Sequence, residues 1–150
     1  MAKINSILPE EDLRKIIELG EDSYTQFKEK FTSIDSLAAE ITAFLNSKGG
    51  RIIVGISDDG ELIGLNKNEI KKTNQWIANA CTNKIEPVVT RVLTEIKQIN
   101  DKVILLIKVP VGANKFYMAN GRDVWVKVGS DKRRASREEL KRLLQYNVKD

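Results

Sequence analysis

Between Arg122 and Arg142 the chain carries eight basic residues (Arg122, Lys127, Lys132, Arg133, Arg134, Arg137, Lys141, Arg142) and four acidic ones (Asp123, Asp131, Glu138, Glu139). The balance of this segment, 8 − 4 = +4, equals the net charge of the whole 150-residue chain, so everything else is neutral. Such asymmetry suits a polyanionic partner. Lys127, Lys132, Arg133 and Arg134 sit on or just after a strand-like run, beside the turn Gly129-Ser130. A phosphate backbone needs several cations at compatible spacing. The amides of a glycine turn at Ser130 add anion affinity, as does a helix start at Ser136 followed by Arg137. The plainer alternative is a solvated charged turn. Tyr117 and Trp125 could stack on bases, although aromatic residues in strands are more often core, the reading preferred for Trp125. No hydrogen-bonding set suited to reading base edges is visible.

Other chemistry is narrowed by what is absent. The chain has no histidine, which removes Ser-His-Asp and Cys-His catalysis and imidazole metal ligation. Its one cysteine, Cys81, excludes an internal disulfide and any multi-cysteine metal site; it reads as a core residue on a helix face. Lys48-Gly49-Gly50 follows a helix and precedes a strand, the reverse of a phosphate-binding loop, and reads as a helix end. No cofactor and no metal are expected. No stretch approaches the ~20 apolar residues of a membrane span. The N-terminus lacks a signal-peptide core, so a cytoplasmic setting without a membrane partner is expected.

The elements that must position the cations can be read from periodicity. Pro9-Glu10-Glu11-Asp12 starts a helix whose face is Leu13, Ile16 and Ile17, closed by Gly20. Tyr24 to Phe31 alternates as a strand, with Thr25 and Phe27 on one side and Gln26 and Lys28 on the other. Ser33 caps the clearest helix, striped by Ile34, Leu37, Ala38, Ile41, Phe44 and Leu45. Arg51 to Ile56 is a central strand buried on both faces, and Asp58-Asp59-Gly60 turns into Glu61–Leu65 as a hairpin. A helix over Asn68 to Thr82 ends before Pro87. Strands follow at Val88–Ile96 and Val103–Val109. Phe116–Met118 is expected to pair with Val124–Val128 around Asn120-Gly121. Ser136 and Glu139 form a capping box for a last helix. The order implies one α+β domain over residues 1–150, a mixed sheet packed with about four helices.

Four segments together are similar to the Schlafen AlbA-type (divergent AlbA) family. They are Gly20-Glu-Asp-Ser-Tyr-Thr-Gln-Phe-Lys28, Ala43-Phe-Leu-Asn-Ser-Lys-Gly-Gly-Arg-Ile-Ile-Val-Gly-Ile56, Asp58-Asp-Gly-Glu-Leu-Ile-Gly-Leu65 and Val124-Trp-Val-Lys-Val-Gly-Ser-Asp-Lys-Arg-Arg-Ala135. The resemblance implies a DNA- or RNA-binding, regulatory domain. It also raises a nuclease alternative, since vertebrate relatives cleave RNA with three carboxylates. By position these fall on Glu21, Gln26 and Ser57, so only one of the three remains an acid, with Asp58 one residue off. Hard divalent cations want oxygen ligands, and Glu21 with Asp58 is the candidate remnant; catalysis is not expected. A protein-interaction or dimerisation module is the third reading, and a homodimer would carry paired basic patches.

Overall fold

The structure, a computed structural model of the chain, describes residues 9–114 and 116–148, the last three by backbone alone. The reading of the N-terminus rests on residues 1–8, outside the described residues.

Among the described residues, four helices and a mixed sheet make one α+β domain. Helix α1 (Glu10–Leu19) leads into strand β1 (Thr25–Lys28), helix α2 (Ile34–Leu45) and strand β2 (Gly50–Val54). Helix α3 (Lys67–Asn79) continues through a single π-helical turn (Ala80–Lys84) into β3 (Ile85–Glu86). Strands β4 (Leu93–Ile99), β5 (Lys102–Val109), β6 (Met118–Ala119), β7 (Trp125–Val128) and β8 (Asp131–Arg134) precede helix α4 (Arg137–Val148). The central sheet has the order β1-β2-β5-β4, with β1 parallel to β2 and the other pairs antiparallel. β3 pairs with β6, and β7 with β8, as separate ladders.

The sheet is a middle layer because β2 and β5 bury both faces. Ile53, Leu106 and Ile104 join Phe27 and the Leu13, Ile16 and Ile17 face of α1. Ile52, Val54, Leu105 and Ile107 pack against α2 and α3 on the other side. Successive strand residues point to opposite faces, so one β-branched run serves two clusters. Helix α2 is enclosed by the sheet, α3 and β7, and every residue from Leu37 to Leu45 is buried. Burying each of its Leu, Ile and Phe side chains contributes about 1.5–3 kcal/mol. Ser33 accepts a hydrogen bond from the Ser36 amide at its start.

Gly49 and Gly50 are explained by close approach. Gly49 has φ +72, and a Cβ there would press on the Val109 carbonyl at 2.9 Å. A Cβ on Gly50 would meet the Tyr24 carbonyl and the Phe44 ring. Cys81 is buried in the α2–α3 cluster, and burial pushes its thiol up to about 11.

Several expectations are corrected. Glu61–Leu65 forms no hairpin ladder, only the bridge Ile56↔Leu62. The Ile63 and Gly64 amides both donate to the Gly55 carbonyl, and Leu65 donates to Val103, so the chain bends across to β5 instead. Phe116–Met118 does not pair with Val124–Val128. The Asn120-Gly121 turn closes only the Ala119↔Asp123 bridge, after which the two arms diverge to β3 and to β8. β4 begins at Leu93 rather than Val88, and its connection to β5 shrinks to Asn100-Asp101, both left-handed (φ 49 and 66). Asp131–Arg134, expected as a basic tail after a turn, is itself a strand. Among the described residues no helix is long and apolar enough to cross a membrane.

Candidate nucleic-acid interface

The basic segment is built on the β7–β8 hairpin, turned by Gly129 at φ +60. Trp125 opposes Arg134 and Lys127 opposes Lys132, so these four share one face, while Val126 opposes Arg133 on the other. Asn46, at the end of α2, fixes the hairpin's base. Its amide donates to the Tyr117 and Trp125 carbonyls, at 2.9 Å each, and its Oδ1 accepts from the Tyr117 amide at 2.6 Å. Ser47 Oγ accepts from the Lys127 amide at 2.9 Å. The second family-like segment therefore holds the fourth in place.

Between the hairpin and β1 lies a groove of about 450 Å³ lined by Gln26, Lys28, Glu40, Val128, Ser130, Asp131, Lys132 and Arg133. Glu40 lies at its base, 3% exposed. One of its oxygens takes Lys132 at 3.2 Å and Lys28 at 3.7 Å; the other is buried with no hydrogen-bond partner among the described residues. A buried charge must be paired to be tolerated, and here two cations from distant parts of the chain converge on one carboxylate. Lys132 and Arg134 flank the Trp125 ring, at 5.2 and 5.1 Å from its centroid. Such stacking holds their charges near the surface at little entropic cost.

Each named cation of the hairpin has a partner within the chain. Lys127 donates to Gln26 Oε1 and to the Ser130 carbonyl, both at 2.9 Å, and lies over the Phe44 ring. Burial lowers its pKa, opposed by the charges of Glu40, Glu21 and Asp131. Arg133 forms a two-pronged pair with Glu139, both contacts at 2.9 Å, and Arg134 contacts Asp123 at 3.0 Å. Arg137 is exposed on the first turn of α4. The anion affinity expected of that helix start is met internally. Glu139 accepts from the Ser136 amide at 2.8 Å, and that bond, with the Arg133 pair, lowers its pKa. Arg134 remains 66% exposed and Arg133 49%, against 25% for Lys132, so the rim is more open than the groove.

The nuclease-type positions meet in part. Glu21 Oε2 accepts from the Gln26 side-chain amide at 2.6 Å and from the Phe27 amide at 2.8 Å. Gln26 thus bridges Glu21 to Lys127, neutral where a carboxylate would stand. Ser57 Oγ accepts from the Glu61 amide, and Asp58 is exposed in the turn that follows. Among the described residues no group of three or more His, Cys, Asp or Glu is placed to hold a metal ion.

Lys28 and Glu40 were not singled out from sequence. The available signal was Glu40 itself, a charged residue within the uninterrupted run Leu37–Leu45 that the helix buries whole.

A mixed sheet between helices, with a basic hairpin across the end of α2, defines the class of domain. The chain matches the family described as Schlafen, AlbA_2 over residues 21–136, and it belongs to that family. The DIP2311 protein from Corynebacterium diphtheriae is similar in structure at 21% identity and TM-score 0.62, over 85% of this chain and 30% of that one. The chain thus spans under a third of that protein's length. The N-terminal domain of a protein from Nitrosomonas europaea, named as related to the ATP-dependent DNA helicase RecG, is similar at 22% identity and TM-score 0.50. That match covers 67% of this chain and 71% of that one. Both likenesses concern the fold. Among curated proteins nothing matches the chain.

Proposed function

We propose that this domain binds DNA or RNA through phosphates, without catalysis, in a regulatory role in the cytoplasm. The contact surface is the groove between the β7–β8 hairpin and β1 together with the hairpin's exposed rim. The observation that carries the reading is the convergence of Lys28 and Lys132 on Glu40 beside Trp125 and Arg134, which gathers cations from two distant segments at one groove. Membership of the Schlafen AlbA_2 family supports it, as does the Nitrosomonas relative's naming after a DNA helicase. The non-catalytic part is supported by Gln26, whose amide is engaged by both Glu21 and Lys127.

Phosphate contacts release counterions, so log K falls with log salt at about −0.9 per phosphate neutralised. Lys28, Lys132 and Arg134 together imply a slope near −2.7 on duplex DNA, or about 40-fold weaker binding at 200 mM than at 50 mM salt. The test is fluorescence anisotropy with labelled duplex across that range, on the wild type and on Lys132→Ala with Arg134→Ala. The double variant is expected to bind more weakly with a slope shallower by about 1.8. An unchanged slope would remove these residues from the interface.

A further inference from the structure

The four-stranded sheet ends on β4, seven residues with no strand on the outer side among those described. An unpaired edge is a template for another strand, and proteins usually blunt it with a proline, a bulge, a cover or charged side chains. β4 has no proline, its two charges, Glu95 and Lys97, are of opposite sign, and its register with β5 runs unbroken from Leu93↔Lys108 to Ile99↔Lys102. The turn that joins them has two residues, both left-handed, so Ile99 and Lys102 close it as a hydrogen-bonded pair. Counting back from Ile99 in steps of two, Lys97, Glu95 and Leu93 also turn their backbone groups toward β5. Thr94, Ile96 and Gln98 turn theirs outward. Ile96 is 60% exposed and Leu93 58%, apolar surface along a strand whose outward backbone groups meet no strand partner among the described residues.

We propose that β4 pairs antiparallel with β4 of a second copy of this chain, about a twofold axis at Ile96, to give a continuous eight-stranded sheet. The charge pattern selects both the occupant and the register. With the axis at Ile96, Thr94 opposes Gln98 and Glu95 opposes Lys97, each twice. An axis at Thr94 would set Glu95 against Leu93, and one at Gln98 would set Lys97 against Ile99, so neither matches the charges. Glu95 and Lys97 then form the non-hydrogen-bonded pair, about 4.5 Å apart at Cα, where side chains are closest. Lys108, already 3.2 Å from Glu95, leaves that carboxylate flanked by cations of both copies. The outward groups supply about six backbone hydrogen bonds, and each Ile96 shields the other from water. The basic hairpin lies by β1, at the opposite edge of the sheet, so the pairing is independent of the nucleic-acid reading.

The full chain is examined by sedimentation over a range of concentrations, beside Ile96→Lys, which sets like charges at the axis. A reversible dimer is expected for the wild type and a monomer for Ile96→Lys, with the same circular dichroism. Oxidative cross-linking fixes the register. Ile96→Cys places its own copy about 5.5 Å away at Cα, within the span of a disulfide. Gln98→Cys faces Thr94, with its own copy about 13 Å along the strand. Rapid cross-linking of the first and none of the second is expected, the wild type controlling for buried Cys81. A wild type that stays monomeric, a dimer that Ile96→Lys leaves intact, or equal cross-linking at both positions overturns the proposal.

Discussion

Asn46→Asp is nearly isosteric yet reverses the hydrogen bonding that ties the hairpin to α2. The Tyr117 amide keeps its acceptor. The two carbonyls of Tyr117 and Trp125, which now receive the Asn46 amide at 2.9 Å, would face a carboxylate oxygen instead. Asn46 is 4% exposed, so water is poorly placed to relieve the conflict. Two lost bonds at about 1 kcal/mol each, plus unsatisfied buried acceptors at about 1–3 kcal/mol, put the cost near 3–5 kcal/mol at neutral pH. That is a large share of the ~5–15 kcal/mol that holds a domain together, and about 9–15 °C in Tm. The sign with pH follows from the same geometry. The new carboxyl binds its proton more tightly folded than unfolded, so the deficit shrinks as pH falls through the raised folded pKa. The assay is urea unfolding of both proteins at pH 7 and pH 5, with hydrogen exchange at the Tyr117 amide. A variant within about 0.5 kcal/mol of the wild type at pH 7 would show that the Asn46 amide does not hold the hairpin to α2.

Three further outcomes are expected. Glu40→Gln removes the charge that engages Lys28 and Lys132 without adding a phosphate contact, so duplex binding tightens with an unchanged salt slope, while stability falls by about 1 kcal/mol because both lysines are partly solvated; anisotropy and urea midpoints report the two effects. Glu139 has a depressed folded pKa, so its contribution is present above the unfolded value of about 4.3 and is lost as pH falls through the folded one. The stability gap between wild type and Glu139→Gln should therefore be seen at pH 7 and narrow as pH falls below about 4.3 in paired melts. Arg134→Ala removes an exposed ion pair worth at most about 1 kcal/mol, leaving Tm nearly unchanged while the duplex salt slope becomes shallower by about 0.9.

The sequence was most legible where one physical signal ruled. The stripe on α2, with Ser33 at its cap, and the doubly buried run at β2 declared themselves through periodicity. Asp131–Arg134 did not, because four successive charged residues carry no alternation; only pairing with Trp125–Val128 makes them a strand. The two-residue β3–β6 ladder joins segments far apart in the chain and leaves no local trace. At the site, Lys127 and Lys132 were visible as charge, and Glu21 and Gln26 through the family resemblance. The counter-charge at Glu40 and the tie at Asn46 were not, since their meaning lies in contacts that the fold alone brings together.

Phosphate recognition without catalysis is tested by titrating the wild-type chain into labelled single- and double-stranded DNA and RNA from 50 to 200 mM salt, with and without manganese, and then sizing the probes. Salt-sensitive binding with a duplex slope near −2.7 and intact probes under both conditions is the expected result. No binding at the lowest salt would contradict phosphate recognition, and manganese-dependent cleavage would contradict the non-catalytic reading.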